Sequence, residues 1–251
     1  MRPVLFELGP LSVHGYGAMW ALAALAAWWV VRHELARRAG RPDAAGALTI
    51  AALLGGMVGA RLYWLAEHLG SVGLTESVSG AGFTWYGGVI GGALATLLVA
   101  WRMRVSLPAL LGAAAPALAI AYAVGRIGCQ LAGDGTYGVP SDLPWAMSYP
   151  DGEVPTLERV HPTPVYETLV GLLIFAVLWR LRARISAVSL FAVYLVLSGV
   201  ARFLVELLRR NDAVVLGLTQ PQLFAAAFVL IGVGLLAVRP AARSDLPVPA
   251  A

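Results

Sequence analysis

Hydrophobic residues run along this chain in long blocks, not at the period of a half-buried strand or a surface helix. Seven blocks stand out, at about 15–35, 46–67, 84–101, 107–125, 164–181, 187–208 and 220–238. Each approaches the roughly 20 residues that a helix needs to cross a hydrocarbon core. The pattern predicts an all-α polytopic membrane protein of about seven transmembrane helices, forming a single membrane domain over residues 1–240. The polar tail at 241–251 reads as disordered.

Arginines orient the blocks. Arg37, Arg38 and Arg41 follow the first; Arg102 and Arg104 separate the third from the fourth; Arg180, Arg182 and Arg184 separate the fifth from the sixth; Arg239 and Arg243 follow the seventh. All four clusters fall on alternate connections, so the positive-inside rule puts the N-terminus outside and the C-terminus in the cytoplasm. The opposite side receives about 68–83, 126–163 and 209–219. The longest, 126–163, carries the turn-rich VPSDLPW, YPDGEVP and HPTP and is expected to form a periplasmic cap. The first block reads as a retained span. Only Arg2 and the polar HGYG precede it, and arginines follow it, the reverse of a signal peptide.

Composition supports this frame. Of 251 residues, 59% are hydrophobic and 13% charged, against about 25% charged in soluble domains. The net charge of +4 comes from arginine alone and is spread between apolar blocks, which excludes a nucleic-acid-binding face. Cys129 is the single cysteine, so no internal disulfide or multi-cysteine zinc site exists. His14, His33, His68 and His161 have no ligand spacing, and neither metal nor cofactor is expected. The GGVIGG of the third block reads as helix packing, not as a nucleotide loop.

Against this background the ionisable residues at membrane depth stand out, since each costs about 2.5–3.5 kcal/mol on insertion scales and marks a functional site by default. Arg61 lies in GGMVGARLYWL, Arg126 opens GRIGCQLAGDGTYG (Gly125–Gly138), and Arg202 lies in GVARFLVELLRR. Arg202, Glu206 and Arg210 fall at i, i+4 and i+8 on one helix face. Each has a plainer alternative. Arg202 and Glu206 would also serve as a helix-gluing pair, Arg61 as a packing arginine, and Arg209 and Arg210 as side chains snorkelling to headgroups. Three arginines converging on one outward site nevertheless form an anion site, and guanidinium suits phosphate. Gly125 and Gly128 would let a ligand approach the backbone. Tyr16 and Tyr86, each flanked by glycine at the outer end of a block, are placed to reach the same arginines. His161 and Glu167 bracket HPTPVYE, with His161 either a proton carrier or a helix-entry residue. Cys129 reads as a small buried filler.

HGYGAMWAL, GARLYWL, TWYGGVIGG, GRIGCQLAGDGTYG, HPTPVYE and GVARFLVELLRRND occur in an order and spacing that resembles the prolipoprotein diacylglyceryl transferase family over all seven blocks. The resemblance implies transfer of the diacylglyceryl moiety of phosphatidylglycerol to the lipobox cysteine in a prolipoprotein signal peptide. Glycerol-1-phosphate would leave, at the periplasmic face of the bacterial inner membrane, and a monomer is expected. It matches Tyr16 to a functional tyrosine, Arg126 to the essential GR arginine, and Arg202 and Glu206 to the functional pair of the sixth span. Two motifs depart from the family. Tyr86 stands where FHGG places a histidine. In the usual GRxGNFxNGE, Cys129 and Ala132 replace asparagines and Asp134 replaces the glutamate.

The implied reaction needs a clamp for developing phosphate charge, which Arg126 and Arg202 would supply with Arg61 nearby. It also needs an acceptor for the thiol proton. A phenol with a pKa of about 10 is a poor base, so Tyr16 and Tyr86 would donate hydrogen bonds. Glu206 would orient Arg202 or take the proton, with Asp134 and His161 the remaining candidates. Two further readings stay open: a relative serving another acceptor, and a non-catalytic anionic-lipid binder or transporter.

Overall fold

The computed structural model describes residues 4–8, 11–69 and 84–238. The tail at 241–251, Arg239, Arg243 and most of the connection at 68–83 lie outside these residues.

Each expected block is a helix: α1 (Gly15–Ala39), α2 (Ala44–Glu67), α3 (Trp85–Arg102), α4 (Leu107–Ala132), α5 (Thr163–Leu181), α6 (Ala187–Glu206) and α7 (Gln220–Ala237). Three short antiparallel pairs accompany them. They are β1 (Val4–Leu8) with β2 (Leu11–His14), β3 (Met147–Tyr149) with β4 (Thr156–Val160), and β5 (Ala213–Val215) with β6 (Leu218–Thr219). Among the described residues five helices (α2, α4, α5, α6 and α7) are long and apolar enough to cross a membrane. The other two carry more polar ends, with Arg32, Glu34, Arg37 and Arg38 late in α1 and Arg102 closing α3. Leu54, Leu94, Leu173, Leu204 and Leu230 are exposed along these helices, as a lipid-facing surface requires. The chain is an all-α polytopic membrane protein.

Local chemistry sets the helix ends. Ser186 caps α6 by accepting from Ser189 N at 3.1 Å. Thr219 and Gln222 close a reciprocal capping box on α7, and Pro164 and Pro221 sit in first turns where a missing N–H costs nothing. Two ends differ from the sequence reading. Helix α4 runs through Gly125, Arg126 and Gly128 to Ala132, so the cap begins seven residues later than expected. It stops at Gly133, whose φ of +63° is cheap only for glycine, and whose N–H returns to Cys129 O at 2.9 Å. Helix α6 ends at Glu206, and Leu207–Arg209 tighten into a turn with Arg209 N on Glu206 O at 3.1 Å. Arg210 therefore leaves the face shared by Arg202 and Glu206.

The chain divides into two compact units. One takes the chain up to Val30 and again from Leu111 onward; the other takes Val31–Leu110. Within the second, α2 and α3 meet backbone to backbone. A Cβ on Gly91 would lie 2.4 Å from Gly55 O and 2.7 Å from Gly59 Cα, so only glycine permits this crossing. Within the first, Ala115, Ala119, Ile174, Leu178 and Leu190 form a buried core joining α4, α5 and α6. A Cβ on Gly171 of α5 would come 3.0 Å from Ala123 Cβ of α4. That close approach brings the first turns of α5 beside Tyr122 and Arg126.

Gly91→Ala is expected to lower stability by about 1–3 kcal/mol through overpacking. Gly234→Ala, whose Cβ would meet nothing within 4 Å, is expected to be neutral or stabilising by up to about 1 kcal/mol. Thermal unfolding in detergent followed by tryptophan fluorescence checks both.

Candidate active site

The centre of the first unit is a carboxylate that the sequence reading noted but did not place in the site. Glu167, one turn into α5, is 2% exposed. Its Oε1 accepts from Tyr122 Oη at 2.5 Å and from Arg202 Nη1 at 3.0 Å, and pairs with Arg126 Nη2 at 3.1 Å. Arg209 Nη1 stands 3.6 Å from Oε2. Helices α4 and α6 and the turn after α6 thus deliver three guanidiniums to one carboxylate on α5. The aromatic face of Tyr122 also lies 5.1 Å below the Arg126 guanidinium, one helical turn away on α4.

Glu206 supports the arrangement from the side. Its Oε2 holds Arg202 Nη2 at 2.7 Å, and its Oε1 accepts from Thr219 Oγ1 at 3.0 Å and from Asn211 Nδ2. Arg209 Nε comes within 3.8 Å of the same carboxylate. Three guanidiniums against two carboxylates leave this ion-pair cluster with one surplus positive charge. Arg209 Nη1 and Glu167 Oε2 are buried without a hydrogen-bond partner, so the cluster is not internally satisfied. Burial pushes the Arg209 pKa below its ordinary value; the facing Glu167 opposes that shift and the neighbouring Arg202 adds to it.

The remaining expected residues divide. Tyr16 lies beside α4, where a Cβ on Gly128 would come 3.6 Å from the Tyr16 ring and 3.1 Å from Met19 Cβ. Gly128 is thus a packing position between α1 and α4, while Gly125 faces open space. Cys129 is buried, with Arg126 Nη1 donating to its sulfur at 3.8 Å. Asp134 has one oxygen committed to the loop, since Oδ1 accepts from Thr136 N at 3.1 Å and Thr136 Oγ1 at 2.6 Å. The same side chain also reaches Cys129, the neighbour of Arg126 on the same helix turn, and lies close enough to Tyr16 to bear on its charge.

His161 belongs to the cap: its Nδ1 is 3.3 Å from Tyr166 Oη, which accepts from Trp145 Nε1 at 2.8 Å. Arg210 is also a cap residue, donating to Gly138 O at 3.0 Å and pairing with Glu158 at 3.4 Å. Gly138 has no room for a side chain, because a Cβ would meet Leu208 O at 2.3 Å. Tyr149, stacked on Tyr137, donates to Gln130 Oε1 at 2.9 Å, and burial pushes its phenol up to about 12. Arg61 and Tyr86 lie in the Val31–Leu110 unit, Arg61 4.7 Å over the Trp64 ring and Tyr86 edge-on to Trp85 at 5.4 Å. No group of three or more His, Cys, Asp or Glu able to hold a metal occurs among the described residues.

Sequence reasoning missed Tyr122 and the roles of Glu167 and Arg209. The signals were present: a carboxylate at membrane depth demands counter-ions, and Tyr122 stands four residues before Arg126.

Fold and cluster together define a polytopic membrane protein with a surplus-cationic, incompletely satisfied polar cluster among its helices. The chain belongs to the prolipoprotein diacylglyceryl transferase family, whose model matches residues 3–238. It is 32% identical over 236 residues to the phosphatidylglycerol--prolipoprotein diacylglyceryl transferase of Clostridium tetani, covering 92% of this chain and 94% of that protein. The proteins of the same name from Chromohalobacter salexigens and Pseudomonas putida are 35% and 31% identical. They cover 97% and 93% of this chain, and 90% and 92% of their own lengths.

Glu167→Gln keeps the shape of the side chain but removes the carboxylate of Arg126 and leaves Arg202 and Arg209 on Glu206 alone. It is expected to cost about 3–5 kcal/mol, the range for breaking a buried ion pair. Tyr122→Phe, which removes one hydrogen bond to a charged acceptor, is expected to cost about 1.5–3 kcal/mol. Unfolding of both variants in detergent measures the difference.

Proposed function

We propose that this chain transfers the diacylglyceryl moiety of phosphatidylglycerol to the lipobox cysteine of prolipoproteins, as a monomer at the periplasmic face of the inner membrane. The observation that carries this reading is the surplus charge of the Arg126–Arg202–Arg209 cluster around Glu167 and Glu206. The names of the relatives supply the donor and acceptor. Alternation of the arginine clusters along the sequence supports the orientation.

In this reaction the cysteine sulfur attacks the glycerol carbon that bears the phosphate ester. A C–S bond forms as the C–O bond breaks, and glycerol-1-phosphate leaves with the electron pair. Negative charge grows on the phosphate, where Arg126 and Arg202 stabilise it in a partly water-excluded site. Glu167 and Glu206 fix both guanidiniums before the lipid arrives, so little reorganisation is needed. The thiol proton needs a base. Glu206 is already engaged by Arg202, Thr219 and Asn211, and His161 is engaged by Tyr166. Asp134, beside Cys129 and Tyr16 and with no guanidinium within ion-pair distance among the described residues, is the acceptor these contacts favour.

Complementation tests the reading. In cells depleted of their own diacylglyceryl transferase, the wild-type chain is expected to restore the mobility shift of lipidated prolipoprotein, and Arg126→Ala to abolish it. Asp134→Asn is expected to slow lipidation at least about 100-fold, the lower range for loss of a general base. Failure of the wild-type chain to rescue, with the protein shown to be inserted, contradicts the acceptor assignment and favours another acceptor or pure lipid binding.

A further inference from the structure

A second basic site stands at the turn between α3 and α4, at the start of the helix whose last turns carry Arg126. Trp101, Arg102, Arg104, Val105 and Ser106 line a hollow of about 510 Å³. Its walls carry two guanidiniums and a hydroxyl, with the N-terminal, positive end of α4 beginning one residue later at Leu107. Among the described residues neither Arg102 nor Arg104 has a carboxylate within ion-pair distance, whereas Arg37, Arg38 and Arg41 after α1 are each paired with Glu34 or Asp43. The Arg102 guanidinium lies 5.7 Å over the ring of Trp101, an exposed aromatic of the kind that marks headgroup level.

The backbone supplies an independent observation. Arg104 closes α3 in the left-handed region, with φ of +55°, Val105 N on Ala100 O at 2.9 Å and Arg104 N on Trp101 O at 3.1 Å. This is a helix stop that glycine makes without strain. The chain uses glycine after α1 and after α4, at Gly40 (φ +60°) and Gly133 (φ +63°). After α3 it keeps an arginine in a strained conformation, with the side chain on the wall of the hollow.

We infer that this hollow binds a phosphate group, held between Arg102 and Arg104 with Ser106 donating to a third oxygen. The chemistry is that of a phosphate mono- or diester, from an anionic phospholipid headgroup or from free phosphate. The site is independent of the proposed transfer reaction. Arginine forks at a helix N-terminus match phosphate oxygens, and the Trp101 ring supports one fork from below.

The test is native mass spectrometry of the full chain released from phosphatidylcholine nanodiscs doped with phosphatidic acid. Wild type is compared with Arg102→Gln/Arg104→Gln, with Arg104→Gly and with Arg41→Gln. The wild type and Arg41→Gln are expected to retain one more phosphatidic acid than the other two, whose apparent affinity falls by at least about tenfold. Arg104→Gly relieves the left-handed strain, so it keeps the fold and decides the matter even where the double variant inserts poorly. Displacement of that molecule by excess inorganic phosphate identifies the phosphate group alone as the ligand. Retention against excess phosphate identifies the lipid headgroup. Equal retention of phosphatidic acid in all four proteins overturns the site.

Discussion

The charged side chains at the centre of the larger unit depend on one arrangement, the delivery of three guanidiniums to the Glu167 carboxylate. An arginine at membrane depth is costly by itself, and so is a glutamate. Together they lower each other's cost, but only with close geometry and nearly complete hydrogen bonding. The geometry comes from helix packing. Gly171 against Ala123 sets α5 on α4, and the apolar core of Ala115, Ala119, Ile174, Leu178 and Leu190 locks α6 to both. The geometry of this cluster thus follows from small residues placed where helices cross.

The cluster is deliberately unbalanced. With Glu206 tied to Asn211 and Thr219, the second carboxylate also anchors the chain that follows α6, so the turn carrying Arg209 is held to the root of α7. The cap is tied to the same turn through Val139 N on Leu208 O at 2.8 Å and through Arg210 on Gly138 O at 3.0 Å. The Gly138–Val139 stretch of the cap and the charged helix end therefore share one foundation.

Much of this was legible in the sequence. Block length and arginine spacing located the seven helices of the described residues, because hydrophobic length is a direct physical requirement of the bilayer. Arg126, Arg202 and Glu206 were legible as polar residues where none belongs. What the sequence hid follows from tertiary structure. The glycines of GRIGC suggested a loop, yet α4 continues through them to Gly133. Arg210 looked like the next step of a ladder, but α6 ends first, and Arg209, read as a headgroup anchor, turns inward instead. Glu167 was visible as a letter; its role needed Tyr122 and three arginines from distant segments to converge on it.

The central claim is that the one surplus positive charge of this cluster receives the phosphate of the donor lipid. Equilibrium binding of phosphatidylglycerol to the full chain in phosphatidylcholine nanodiscs tests it most directly, with Arg209→Gln as the charge-neutralised comparison. That substitution leaves Arg126 and Arg202 on Glu167 and brings the cluster to zero net charge. The account predicts phosphatidylglycerol affinity lower by at least about tenfold, as expected for a lost charge-assisted contact in a partly buried site. Unchanged affinity, with Arg209→Gln folded and inserted, would contradict it.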